Sequence, residues 1–82
     1  MILKPIRDDL LVYIKKHNLL RKWTKASTLF VVNHRHPSLH LELLEPKWRG
    51  IFSFRIDRKY RALFFIDRSG YTEVFQITNH YK

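Results

Sequence analysis

The apolar residues of this chain change their spacing once, and that change restricts the class of fold open to it. Up to Val32 they recur every three or four positions, as on one face of a helix. From Leu39 onward they recur every second position, as on one face of a strand. Helices gathered early in a chain and strands gathered late make an α+β domain, not an alternating α/β one. His34-Arg35-His36-Pro37-Ser38 marks the junction, and Pro37 stops a helix from running through it.

In the helical part, Ile6, Leu10, Tyr13 or Ile14, and His17 trace one face, which predicts a helix over about residues 7–17. Asp8 and Asp9 fall in its first turn and Lys15, Lys16 and His17 in its last, where the helix dipole favours those signs. Asn18 reads as the cap of a second helix. That helix runs to about Val32 with Leu19, Trp23, Ala26 and Phe30 as its core stripe and Arg21, Lys22 and Lys25 on its outer face. The two helices are expected to form an antiparallel hairpin packed on a sheet of three or four antiparallel strands.

In the strand part, Leu39–Leu44 alternates apolar and polar residues and is closed by Pro46; a second strand carries Phe52, Phe54 and Ile56. Tyr60–Ile66 is dense in aromatic and branched residues, Asp67-Arg68-Ser69-Gly70 is turn chemistry, and Tyr71–Thr78 is the return strand. Strand parity bears on the charges. A three-residue loop would pair Arg55 with Arg61 and Phe54 with Ala62, placing Phe52, Phe54, Ile56, Tyr60, Ala62 and Phe64 together against the helices. A two-residue loop, with Phe54 facing Leu63, also gives a tolerable pattern.

A single domain of 82 residues has a small core, burying about 60–65% of its unfolded surface. Twelve aromatic residues, six Phe, four Tyr and two Trp, offset that limit. Sixteen Lys and Arg against seven Asp and Glu leave a formal charge of +9, interleaved with apolar residues, so nucleic acid or an acidic protein is the natural partner. With no cysteine, disulfides, thiol catalysis and thiolate zinc sites are excluded. Met1–Pro5 lacks the apolar stretch of a signal peptide and no apolar run is long enough to span a bilayer, so a cytoplasmic protein without membrane contact is expected.

Three stretches could carry chemistry: Arg35-His36-Pro37-Ser38-Leu39, Phe54-Arg55-Ile56-Asp57-Arg58-Lys59-Tyr60-Arg61, and Asn79-His80-Tyr81-Lys82. In their order and spacing they resemble the RelE, YoeB and YafQ group of toxins, whose members share an HPSL-like turn after the second helix, an R-I-x-R-x-Y-R-like hairpin and a terminal His or Tyr. The resemblance covers roughly residues 19–82. It implies the toxin of a type II toxin–antitoxin pair, an endoribonuclease that cuts mRNA, commonly on the ribosome. The 2′-hydroxyl then attacks its own phosphate, with no metal and no cofactor. Such chemistry needs a base at the 2′-oxygen, cations on the phosphate and an acid for the leaving 5′-oxygen.

By position in the hairpin motif, Arg55 resembles the arginine that clamps the scissile phosphate; the bland alternative is a strand arginine solvated or paired to Asp57 or Glu42. His80 and Tyr81 resemble the terminal pair of the YoeB branch, able to move protons or stack on a base. Glu42, with His40 as fallback, is the expected base, on the polar face of the first strand. Arg58, Lys59, Arg61, Lys47 and Arg49 read as RNA phosphate contacts, although any single lysine among them is better explained by solvation. Trp48 could stack on a base, and a core or antitoxin-facing tryptophan is an equal alternative. His34, His36 and His40 form a weak metal set; His36 is better explained as fixing the turn before Pro37 by a hydrogen bond. The charge also predicts an acidic antitoxin laid along the basic surface.

The chain departs from the group at its start. Members open on a strand, whereas Met1–Pro5 is at most a stub, which leaves the sheet a strand short or the stub paired only at an edge. Two rival functions share the composition: a ParE-like inhibitor of DNA gyrase, against which the terminal His80-Tyr81 argues, and a non-catalytic nucleic-acid-binding module.

Overall fold

The computed structural model describes residues 1–79 and shows the expected α+β layering: two helices, then a four-stranded antiparallel meander. Helix α1 spans Asp8–Lys16 and buries Leu10 and Ile14. Helix α2 spans Leu20–Val32 and buries Trp23, Ala26 and Phe30. Strand β1 is Glu42–Leu43, β2 Phe52–Arg55, β3 Arg61–Ile66 and β4 Thr72–Thr78, in the order β1-β2-β3-β4.

The link between the helices differs from the expectation. Asn18 does not cap α2; it sits at φ 56°, past the end of α1. Its N–H donates to the Lys15 carbonyl at 3.2 Å, and the Leu19 N–H donates to the Ile14 carbonyl at 2.8 Å. This is a Schellman closure, in which Asn tolerates the left-handed position and the following residue packs back on the helix. Leu19 does so and is buried with Ile14, while α2 starts with no side-chain cap.

The first strand is also shorter than its alternating pattern predicts. Pro37–Leu39 form a single 3-10 turn, stabilised where His36 Nδ1 accepts from the Ser38 N–H and hydroxyl at 3.2 and 2.9 Å. His36 thus makes a hydrogen bond as expected, but the turn it fixes is the one that Pro37 opens, not one before Pro37. Leu39 points into the core, and His40 turns the chain with φ 45°, so pairing begins only at Glu42.

Between β2 and β3 the odd register holds: Arg55 pairs with Arg61 and Phe54 with Ala62. The face turned to the helices carries Phe54, Ala62, Phe64 and Ile77, all buried. Phe30 of α2 stacks on Phe54 at 4.7 Å and meets Phe64 edge-on at 5.2 Å, so one ring from the helices holds two strands. Gly70 takes the left-handed position of the β3–β4 turn at φ 84°. The N-terminal stub pairs at an edge: Leu3 bridges Thr72 in parallel, with the Lys4 N–H on the Thr72 carbonyl at 2.9 Å. The Lys4 ammonium fastens it further to Asp67 and Glu73, at 2.9 and 3.3 Å.

Candidate active site and nucleic-acid interface

Residues paired directly across a sheet share a face. Glu42 pairs with Ser53, Ser53 with Leu63, Arg55 with Arg61 and Arg61 with Thr78. The sheet face turned away from the helices therefore carries Glu42, Ser53, Arg55, Arg61 and Thr78. Glu42 lies diagonally from Arg55, about 7–8 Å backbone to backbone. This brings the expected phosphate clamp and the expected base onto one surface. His40 does not share that parity, because it precedes β1 in a left-handed turn and borders a cleft of about 310 Å³ with Arg35 and His36.

The two facing arginines have different fates. Arg61, expected at the surface as an RNA contact, is only 4% exposed. Its Nε donates to Ser53 Oγ at 3.0 Å and its Nη2 to the carbonyl of His40. A buried guanidinium requires such partners, so Arg61 ties the strand to the turn that precedes Glu42. Arg55 is half-buried and joins no ion pair among the described residues. The alternative that it is neutralised by Asp57 or Glu42 does not hold. Asp57 is occupied elsewhere: Oδ1 accepts from the Lys59 and Tyr60 N–H groups at 2.8 and 2.7 Å, and Oδ2 binds Lys22 at 3.0 Å. Burial pushes its carboxyl up, but these bonds outweigh burial and hold it below its ordinary range.

Arg55 ends its strand, and there it also borders a cleft of about 250 Å³ against α2. The cleft is lined by Lys22 and Lys25, by Ser38 and Leu39 of the 3-10 turn, and by Asp57. Sequence reading assigned Lys22 and Lys25 to an outward helix face and missed this role. The signal was present in the lysine spacing, since positions three apart lie on one side of a helix. Ser53 was missed too, because nothing in a Phe-Ser-Phe alternation announces a partner for a buried arginine.

The remaining cations expected to bind RNA fall into two exposed groups at opposite ends of β2. Lys47 and Arg49 flank Trp48 on a 3-10 turn, and Trp48 is 85% exposed. Arg58 and Lys59 occupy the β2–β3 turn. Among the described residues no three His, Asp or Glu side chains gather to hold a metal ion, and no helix is long and apolar enough to cross a membrane. His80 and Tyr81 lie outside the described residues.

No protein-family model matches the sequence, and no curated protein matches it. Solved structures do match in shape. A YoeB/ParE toxin from Agrobacterium tumefaciens superimposes with a TM-score of 0.69 at 19% identity, over 98% of this chain and 96% of that one. The YoeB-YefM toxin-antitoxin heterotetramer from Staphylococcus aureus gives 0.66 at 17% identity, over 98% and 94%. A YoeB dimer from the same organism gives 0.64 at 17% identity, with the same coverage. At such identities the likeness is one of fold, and it extends over nearly the whole of each chain. The chain has the fold seen in these YoeB and YoeB/ParE toxin structures.

Proposed function

We propose that this chain is the toxin of a toxin–antitoxin pair, acting within the cell as a metal-independent endoribonuclease on mRNA, on the ribosome. The observation that carries the reading is Arg55: a half-buried guanidinium without an ion-pair partner among the described residues, at the edge of a cleft that Lys25 also lines, and diagonal to Glu42. Desolvating an arginine without a carboxylate partner is unfavourable, and a phosphate supplies the missing partner with matching bidentate geometry.

In this reading Arg55 holds the scissile phosphate and stabilises the charge that grows on it. Glu42 takes the 2′-hydroxyl proton, and the 2′-oxygen attacks phosphorus. The P–O5′ bond breaks, the 5′-oxygen leaves with a proton from His80 or Tyr81, and a 2′,3′-cyclic phosphate forms. The roles of His80 and Tyr81 rest on the resemblance of the terminal stretch alone. Lys25, with Arg58 and Lys59, holds flanking phosphates. An acidic antitoxin restrains the toxin by covering the cationic surface, as the complex of the structurally similar YoeB with YefM makes reasonable.

RNA-end mapping after brief expression tests this. The intact chain is expected to arrest growth and create new mRNA ends. Arg55→Ala should remain folded with cleavage reduced about 10²–10³-fold, the usual cost of removing one charge-stabilising donor. A folded Arg55→Ala variant with full activity would remove the site. Growth arrest with inhibited gyrase and no new RNA ends would instead place the chain with ParE-like inhibitors.

A further inference from the structure

Three aromatic rings meet where α1 ends against the β2–β3 turn. Tyr13 and His17 lie one helical turn apart, and their rings stack with centroids 4.0 Å apart and planes 26° from parallel. Tyr60 presents its edge to both, at 6.3 Å from Tyr13 and 5.8 Å from His17. His17 Nδ1 donates to the Tyr13 carbonyl at 2.9 Å, which fixes the imidazole in place. Tyr13 and Tyr60 are half-buried, whereas His17 is exposed. Pinning the helix to the turn requires only the two tyrosines. The imidazole adds a fixed flat surface on the solvent side that packing does not use.

Cations surround this surface. Lys15 and Lys16 end α1, Arg58 and Lys59 form the turn, and none of the four joins a salt bridge among the described residues. A held aromatic face amid free cations is the arrangement that binds single-stranded nucleic acid: the base stacks and its phosphates meet the charges. An acidic peptide would satisfy the cations and leave the ring idle. The surface lies at the same end of the sheet as Arg55, on the helix-facing side. Arg55 pairs with Arg61 and Tyr60 immediately precedes it, so the backbones of Tyr60 and Arg55 are within about 9 Å.

We propose that His17, backed by Tyr13 and Tyr60, is a stacking platform for one unpaired base of the bound RNA. The choice of RNA rests on the endoribonuclease reading, but stacking itself requires no cleavage. The test uses a single-stranded RNA of about 12 nucleotides, 2′-O-methylated throughout so that its own hydroxyls cannot attack. His17→Ala should bind it about tenfold more weakly than the intact chain, and His17→Tyr within about twofold of it, as loss and retention of one stacked base predict. A folded His17→Ala variant that binds as the intact chain does would overturn the platform. Should His17→Ala not fold, photo-crosslinking of the intact chain to the same RNA carrying 5-bromouridine decides. Crosslinks at Tyr13, His17 or Tyr60 support the platform, and crosslinks confined to other residues overturn it. RNA that crosslinks here yet is never cut in its unmodified form would end the nuclease reading and leave the platform standing. Cleaved RNA with no contact at these rings would do the reverse.

Discussion

Arg55 and Arg61 face each other across two strands and differ in their surroundings: Arg61 has internal partners, whereas Arg55 joins no ion pair among the described residues. Arg61→Ala is expected to destabilise the fold by about 2–4 kcal/mol, since it leaves the His40 carbonyl and Ser53 hydroxyl without their buried donor. Arg55→Ala should change stability by less than about 1 kcal/mol. Urea unfolding of the two variants checks this, and similar losses would mean that the arginines share one structural role. Asp57 offers a second test. Its carboxyl is held below the ordinary range in the folded chain despite the opposing effect of burial, so it contributes stability at pH values above its unfolded pKa near 4. That contribution is lost as pH falls through the lower, folded pKa. Asp57→Asn should therefore flatten the acid limb of a stability-versus-pH curve below about pH 4 and leave its neutral limb parallel to that of the intact chain. An unchanged acid limb would mean that Asp57 is not ionised through these bonds.

At the scale of elements, much was legible. The helical stripe Leu19-Trp23-Ala26-Phe30 and the Phe54-Ala62 pairing follow from period and parity, and the odd hairpin loop won over the even one because only it seats Phe54, Ala62 and Phe64 together under Phe30. What escaped were local competitions that composition does not decide. Asn18 can cap a following helix or close a preceding one, and the choice falls to Leu19, whose burial beside Ile14 favours closure. Leu39 through Leu43 alternates like a strand, yet Pro37 and the His36–Ser38 bonds make its first part a 3-10 turn. For the site, the sharing of one face by Arg55 and Arg61 was legible from parity, whereas the burial of Arg61 depends on a serine and a loop carbonyl met only in three dimensions. Asn18→Ala is predicted to lower stability by about 1 kcal/mol, the cost of a Cβ-bearing residue without Asn's local hydrogen bonding in the left-handed region. Thermal unfolding measures it; an unchanged midpoint would contradict the closure.

On the scale of the whole molecule, a charge of +9 on 82 residues sets the terms of binding. Holding three or four phosphates through Arg55, Lys25 and the hairpin cations Arg58 and Lys59 should give a log K against log salt slope of about −2 to −3 for single-stranded RNA. A slope near zero would mean that the cations do not meet phosphate. Both halves of the account, a charged surface that holds RNA and a site that cuts it without an ion, meet in one experiment. The protein is incubated with ribosomes and an RNA it cleaves, without added metal chelation and then with EDTA titrated to the limit the ribosome tolerates, beside the same RNA carrying a single 2′-deoxy nucleotide at the cut. The account predicts cleavage of the unmodified RNA to a 2′,3′-cyclic phosphate and a 5′-hydroxyl, and none of the deoxy RNA, though it binds equally well. Cutting of the deoxy RNA at an undiminished rate, with a 5′-phosphate on the product, would contradict it and point to activated water as the nucleophile.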